Sequence, residues 1–144
     1  MNAQEFFAQA INIERAAEAA YRLLVDLAAT SGKLDAMEFF QQMVDYARDH
    51  REQIMAKSGL GDDVPIVPIR TGTEVPLVSL KTLPTNLNEA MSYALAAEKS
   101  GVAFYEGIAR QAADPVIRAL AEEFVVEERS HVQALERFMG LKPY

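Results

Sequence analysis

Asp114-Pro-Val-Ile-Arg-Ala-Leu-Ala-Glu-Glu-Phe-Val-Val-Glu-Glu128-Arg-Ser-His131 reads as one amphipathic helix with a marked start. Asp114 offers a capping oxygen, and Pro115 takes the first helical position, where its missing N–H is of no consequence. Beyond it the apolar positions return every three or four residues, at Ile117, Ala121, Phe124, Leu135 and Phe138. Glu128 and His131 fall in phase with that stripe. A carboxylate and an imidazole on the buried face of a helix need a partner inside the protein.

The same reading extends outward to the rest of the chain. Two proline-poor stretches rich in Ala, Leu, Glu, Gln and Arg, Asn2 to Ser58 and Leu87 to Gly140, predict two helical hairpins. Thr30-Ser31-Gly32 breaks the first, with Gly32 suited to a helix end and Asp35 to the next start. Asp114-Pro115 breaks the second. Helices are expected near 3–29, 35–57, 87–112 and 115–139. Between the hairpins, 59–84 carries Gly59, Gly61, Gly72 and Pro65, Pro68, Pro76, Pro84 among apolar residues. Such a segment is an extended crossover linker: about 25 residues at up to about 3.3 Å each can return the chain along a helix of roughly 35 Å. The predicted architecture is a single all-α domain over 1–144, a four-helix bundle of two hairpins joined by a long crossover.

The hairpins repeat one another. Ala10, Glu14, Arg15, Ala19 and Tyr21 lie over Ala94, Glu98, Lys99, Ala103 and Tyr105 at one constant offset. Val44, Arg48, His50 and Ile54 lie likewise over Val125, Arg129, His131 and Leu135, which pairs the only two histidines of the chain. Carrying the helical phase through predicts inner seams of Phe7, Ile11, Glu14, Glu18, Tyr21, Val25 and Ala28 on the first helix, and Ala36, Phe40, Met43, Ala47, His50 and Ile54 on the second. The third supplies Met91, Leu95, Glu98, Val102, Tyr105, Ala109 and Ala112. Glu14, Glu18, Glu98 and Glu128 therefore all face inward. Unneutralised, they would repel one another and lose hydration worth several kcal/mol each. Two divalent cations close that charge count, with His50 and His131 as neutral nitrogen ligands. Phe40, Phe124, Met43 and Met91 read as packing, and Glu127, just off the seam, as a solvated charge.

The bulk numbers exclude other classes. A length of 144 residues fits one domain, and a net charge of −7 repels phosphate backbones and anionic membranes, so nucleic-acid binding is not expected. The absence of cysteine removes disulfides and thiolate-held metal, leaving nitrogen and oxygen donors. Neither a signal peptide nor a run of about 20 apolar residues is present, so a cytoplasmic protein without membrane partners is expected.

The residues from Ala96 to Tyr105, Asp114 to Arg118 and Glu127 to His131, with the repeat of Glu14 and His50, resemble the rubrerythrins of the ferritin-like superfamily. The resemblance spans nearly the whole chain apart from the linker and implies a di-iron carboxylate centre without a rubredoxin domain. It implies Glu14, Glu98, Glu128, His50 and His131 as iron ligands, and peroxidase or ferroxidase chemistry on hydrogen peroxide, dioxygen or Fe(II). A homodimer is implied too, and for turnover of peroxide an external electron donor. Tyr21 and Tyr105 would orient the ligands or relay an electron. Ala47 departs from the pattern, standing where the family has a bridging glutamate. Asp45 and Asp49 lie roughly 200° around the helix and do not replace it. Glu18 is the expected substitute, one turn beyond Glu14 and leaning back toward it. The rival reading is a metal-free helical bundle with a structural or partner-binding role.

Overall fold

The structure, a computed structural model, describes residues 1–61 and 86–141. Among the described residues are four helices, α1 Ala3–Thr30, α2 Leu34–Ser58, α3 Leu87–Gln111 and α4 Pro115–Phe138. Most of the expected crossover at 59–84 lies outside the described residues. The helix limits follow from local chemistry. The side chain of Asn2 accepts a hydrogen bond from the Glu5 amide at 2.8 Å, and that of Asp114 one from the Val116 amide at 2.8 Å. Asn86 caps α3 in the same manner. Gly59 ends α2 at φ 73°, a left-handed conformation that L side chains adopt at a cost. At the start of α2 the expectation shifts by one residue. Lys33 occupies the cap position and Asp35 sits within the first turn, where its charge meets the positive end of the helix.

Two apolar clusters fill the bundle. One joins Phe6, Ile11, Ile54, Tyr105, Ile117 and Phe124, and the other joins Tyr21, Leu24, Phe40, Met43, Leu95 and Leu135. The first takes the N-terminal halves of α1 and α4 with the C-terminal halves of α2 and α3; the second takes the opposite halves. Helices α1 and α4 therefore run one way, and α2 and α3 the other. Since α2 and α3 are parallel, α2 ends and α3 begins at opposite ends of the bundle, the topology expected of a long crossover. Each hairpin packs on itself, and α1 also packs on α3.

The buried stripe on α3 is wider than its predicted seam. Ala90, Ala94, Gly101, Phe104 and Ile108 are buried beside Leu95, Glu98 and Tyr105, whereas Met91, Val102 and Ala109 are only partly so. A helix touching both α1 and α4 buries two adjoining columns rather than one. No helix among the described residues is long and apolar enough to cross a membrane.

Candidate metal centre

Between the two apolar clusters lies a polar layer. Glu14 and Glu18 of α1, His50 of α2, Glu98 of α3, and Glu128 and His131 of α4 are all buried. Each comes from mid-helix, so the backbone holding it is fully hydrogen-bonded and its side chain position is set by helical register.

Five of the six converge as two triads. Donor atoms of Glu14, His50 and Glu128 lie within 4.8 Å of one another, and so do those of Glu98, Glu128 and His131. Glu128 belongs to both. Its Oε1 lies 4.0 Å from His50 Nδ1, and its Oε2 lies 3.8 Å from His131 Nδ1. His50 Nδ1 and Glu14 Oε1 share a 2.7 Å hydrogen bond, while His131 Nδ1 stands 3.7 Å from Glu98 Oε2. Thus one carboxylate sits between two Glu/His pairs, one oxygen toward each, and both imidazoles turn the same nitrogen inward.

Electrostatics shows what this arrangement costs. Burial pushes Glu14, Glu98 and Glu128 up from 4.5 to about 7, reinforced by carboxylate–carboxylate repulsion. Burial lowers His50 against the pull of Glu127 and Glu128. For His131 burial acts in the same direction, but Glu128 and Glu98 outweigh it and the ring is held well above its ordinary value. Glu98 Oε2 and Glu128 Oε1 are buried without a hydrogen-bond partner. Unpartnered buried carboxylate oxygens beside inward imidazole nitrogens form a donor set suited to divalent cations.

The tyrosines divide. Tyr21 donates its hydroxyl to Glu98 Oε1 at 3.0 Å, reaching from the first hairpin to hold a glutamate of the second. The hydroxyl of its repeat partner Tyr105 is buried without a hydrogen-bond partner, and the ring packs edge-on against Phe6, Phe104 and Phe124.

Two carboxylates sit in surroundings other than those expected. Glu18, expected to fill the gap left by Ala47, is turned into ion pairs with Arg51 at 2.5 Å and Arg22 at 2.8 Å, and joins neither triad. Ala47 itself is buried. A guanidinium within reach neutralises a buried carboxylate more completely than a site shared with three other carboxylates. Arg51 follows His50 just off the predicted seam, which hides it from a reading by helical phase. Its place one turn beyond Ala47 is the sequence signal that points to it. Glu127 is not a free solvated charge either. Only partly exposed, it brings Oε2 to 3.2 Å from His50 Nε2 on the outer side of the ring, without completing a hydrogen bond to it. Tyr46, half exposed and outside the predicted seam, stacks on His131 with ring centroids 6.0 Å apart.

Comparison with known proteins agrees with this architecture. No curated protein matches the chain. A solved structure does, that of an uncharacterized conserved protein from Magnetospirillum magnetotacticum MS-1, 27% identical with a TM-score of 0.78 over 100% of this chain and 97% of that one. The family model for rubrerythrin matches residues 5–139. Four helices in this order, a buried Glu/His layer and a match across nearly the whole length lead to one assignment: the chain belongs to the rubrerythrin family.

Proposed function

We propose that this protein holds two iron ions at the centre of the bundle and uses them to reduce hydrogen peroxide or dioxygen. The observation that carries the reading is Glu128, which offers one oxygen to each of two buried Glu/His triads. Glu14 and His50 would hold one ion, Glu98 and His131 the other, with Glu128 between them.

Bound Fe(II) supplies one electron per ion, and two electrons with two protons convert peroxide to water. The residues of the chain do the remaining work. Three carboxylates offset most of the charge of two divalent ions, and the imidazoles add neutral donors without increasing the repulsion. Tyr21 fixes the rotamer of Glu98 through its hydroxyl. Phe124 packs edge-on to His50 at 4.8 Å, closing that side to water. With Glu18 paired to Arg51 and Arg22, Glu128 would be the one carboxylate shared between the ions, and a centre so built would carry less negative charge than one with two shared carboxylates and would favour Fe(II) less strongly over protons.

As a peroxidase the protein would draw electrons from a separate donor; as a ferroxidase, Fe(II) itself is the donor. A homodimer belongs to the same reading. Anaerobic titration of metal-free protein with Fe(II) should saturate near two ions per chain, and admission of peroxide or air should then raise the near-ultraviolet absorbance of Fe(III). A stoichiometry near zero would reject the centre in favour of a metal-free bundle.

A further inference from the structure

The side of the cluster between α1 and α3, away from the histidines, is walled mainly by small side chains, with Ile13 the one larger aliphatic among them. Ala16, Ala17 and Ala97 stand half-buried at its mouth, and Ala20, Ala94 and Gly101 are buried behind them. They surround a cavity of about 30 Å³ that ends on Tyr21, Glu98 and Glu128. That exceeds the roughly 10–15 Å³ that one water needs, and it is far below the several hundred Å³ of an organic-substrate pocket.

Two observations tie the cavity to the buried carboxylate layer. Glu98 is only 5% exposed, lines the cavity, and keeps Oε2 without a hydrogen-bond partner. A Cβ placed on Gly101 would lie 3.6 Å from Glu128 Oε2, so the glycine leaves that oxygen bare toward the cavity.

We propose that this passage is the port through which dioxygen reaches the centre, an inference that rests on the iron-dependent reading above. The walls decide the occupant. A hydrated cation or hydrogen peroxide would surrender hydrogen bonds among alanine methyls, a loss of several kcal/mol for each unmet group. Dioxygen is apolar, surrenders nothing, and fits the volume. The opposite face, between α2 and α4, is lined by Asp49, Gln53, Glu127 and Ser130 and meets the outer edges of both histidines, which gives polar species a different approach.

The port is testable without iron. In metal-free full-length protein with labelled alanine methyls, dioxygen under pressure should enhance relaxation severalfold more at Ala20 and Ala94 than at Ala36 and Ala90, which lie outside the cavity and are buried to the same 4% exposure as Ala94. Ala97→Leu and Ala17→Leu, two independent plugs at the mouth, should each abolish the difference while circular dichroism stays unchanged. In iron-loaded protein either plug should slow oxidation by dioxygen about tenfold, equivalent to roughly 1.4 kcal/mol on the barrier, with Co(II) stoichiometry unchanged. Equal enhancement at all four alanines, or plugged variants oxidised at the wild-type rate, would overturn the port. If either plug unfolds the chain, the other plug and the wild-type methyl pattern still decide. Failure of the wild type to bind Co(II) would instead remove the metal reading, with the relaxation pattern still reporting on dioxygen entry.

Discussion

Replacing Glu128 with glutamine gives opposite results in metal-loaded and metal-free protein. Glutamine keeps the volume and can still hydrogen-bond, but it carries no charge. With metal, loss of the carboxylate common to both triads should reduce Co(II) or Fe(II) binding from two ions toward none, whereas Glu14→Ala or Glu98→Ala should leave one triad and about one ion. Without metal, the substitution should stabilise. In the folded state burial raises the Glu128 carboxyl from 4.5 to about 7. Near pH 7.5 the unfolded chain ionises this group freely and the folded one does so at a penalty of roughly 3 kcal/mol, since each tenfold change in proton affinity is worth about 1.4 kcal/mol. His131 loses a favourable neighbour 3.8 Å away. That offsets part of the gain and leaves a net stabilisation of about 1–2 kcal/mol. At about pH 5 Glu128 is protonated in the fold and partly so in the unfolded chain, and most of the gain should vanish. Urea unfolding followed by circular dichroism, with chelator present, measures both values. The reasoning is refuted by a metal-free variant less stable than wild type at the higher pH, or by a variant that still binds two ions.

Glu18→Val should leave metal content unchanged, because Glu18 is spent on Arg51 and Arg22. It should nonetheless lower stability by about 1–3 kcal/mol by removing the close partner of a largely buried guanidinium, seen as a fall in urea midpoint. The pH dependence of metal-free stability should also run opposite to that of most acidic proteins. Between 4.5 and about 7 the folded Glu14, Glu98 and Glu128 bind more protons than the unfolded chain, so stability falls as pH rises. His131, raised from 6.5, stabilises fully below that value and its contribution is lost as pH climbs through its folded value; His50, lowered, works weakly the other way. Saturating metal, which requires deprotonated ligands, should reverse the slope. Parallel melts across pH with and without Co(II) check both signs.

Features that depend on neighbours along the chain are legible in the residues alone. Helix ends at Asp114-Pro115 and near Gly32 and Gly59 follow from capping and backbone freedom, and the phase of Glu14, His50, Glu98, Glu128 and His131 follows from helical repeat. Repetition between the hairpins then predicts one layer for all five, and the structure brings them together. What each charged group meets across helices is set by the packing of the bundle. Glu18 has the right phase and the right lean, yet its partner depends on which side chain α2 presents at that level, and that is Arg51. Tyr21 and Tyr105 are equivalent in the repeat, but only Tyr21 has a carboxylate opposite its hydroxyl. The gap between α1 and α3 is likewise invisible along one helix, where alanines at Ala16, Ala17 and Ala97 read as ordinary helix formers. A cavity exists only where small residues from two helices meet and neither supplies the atoms to fill it.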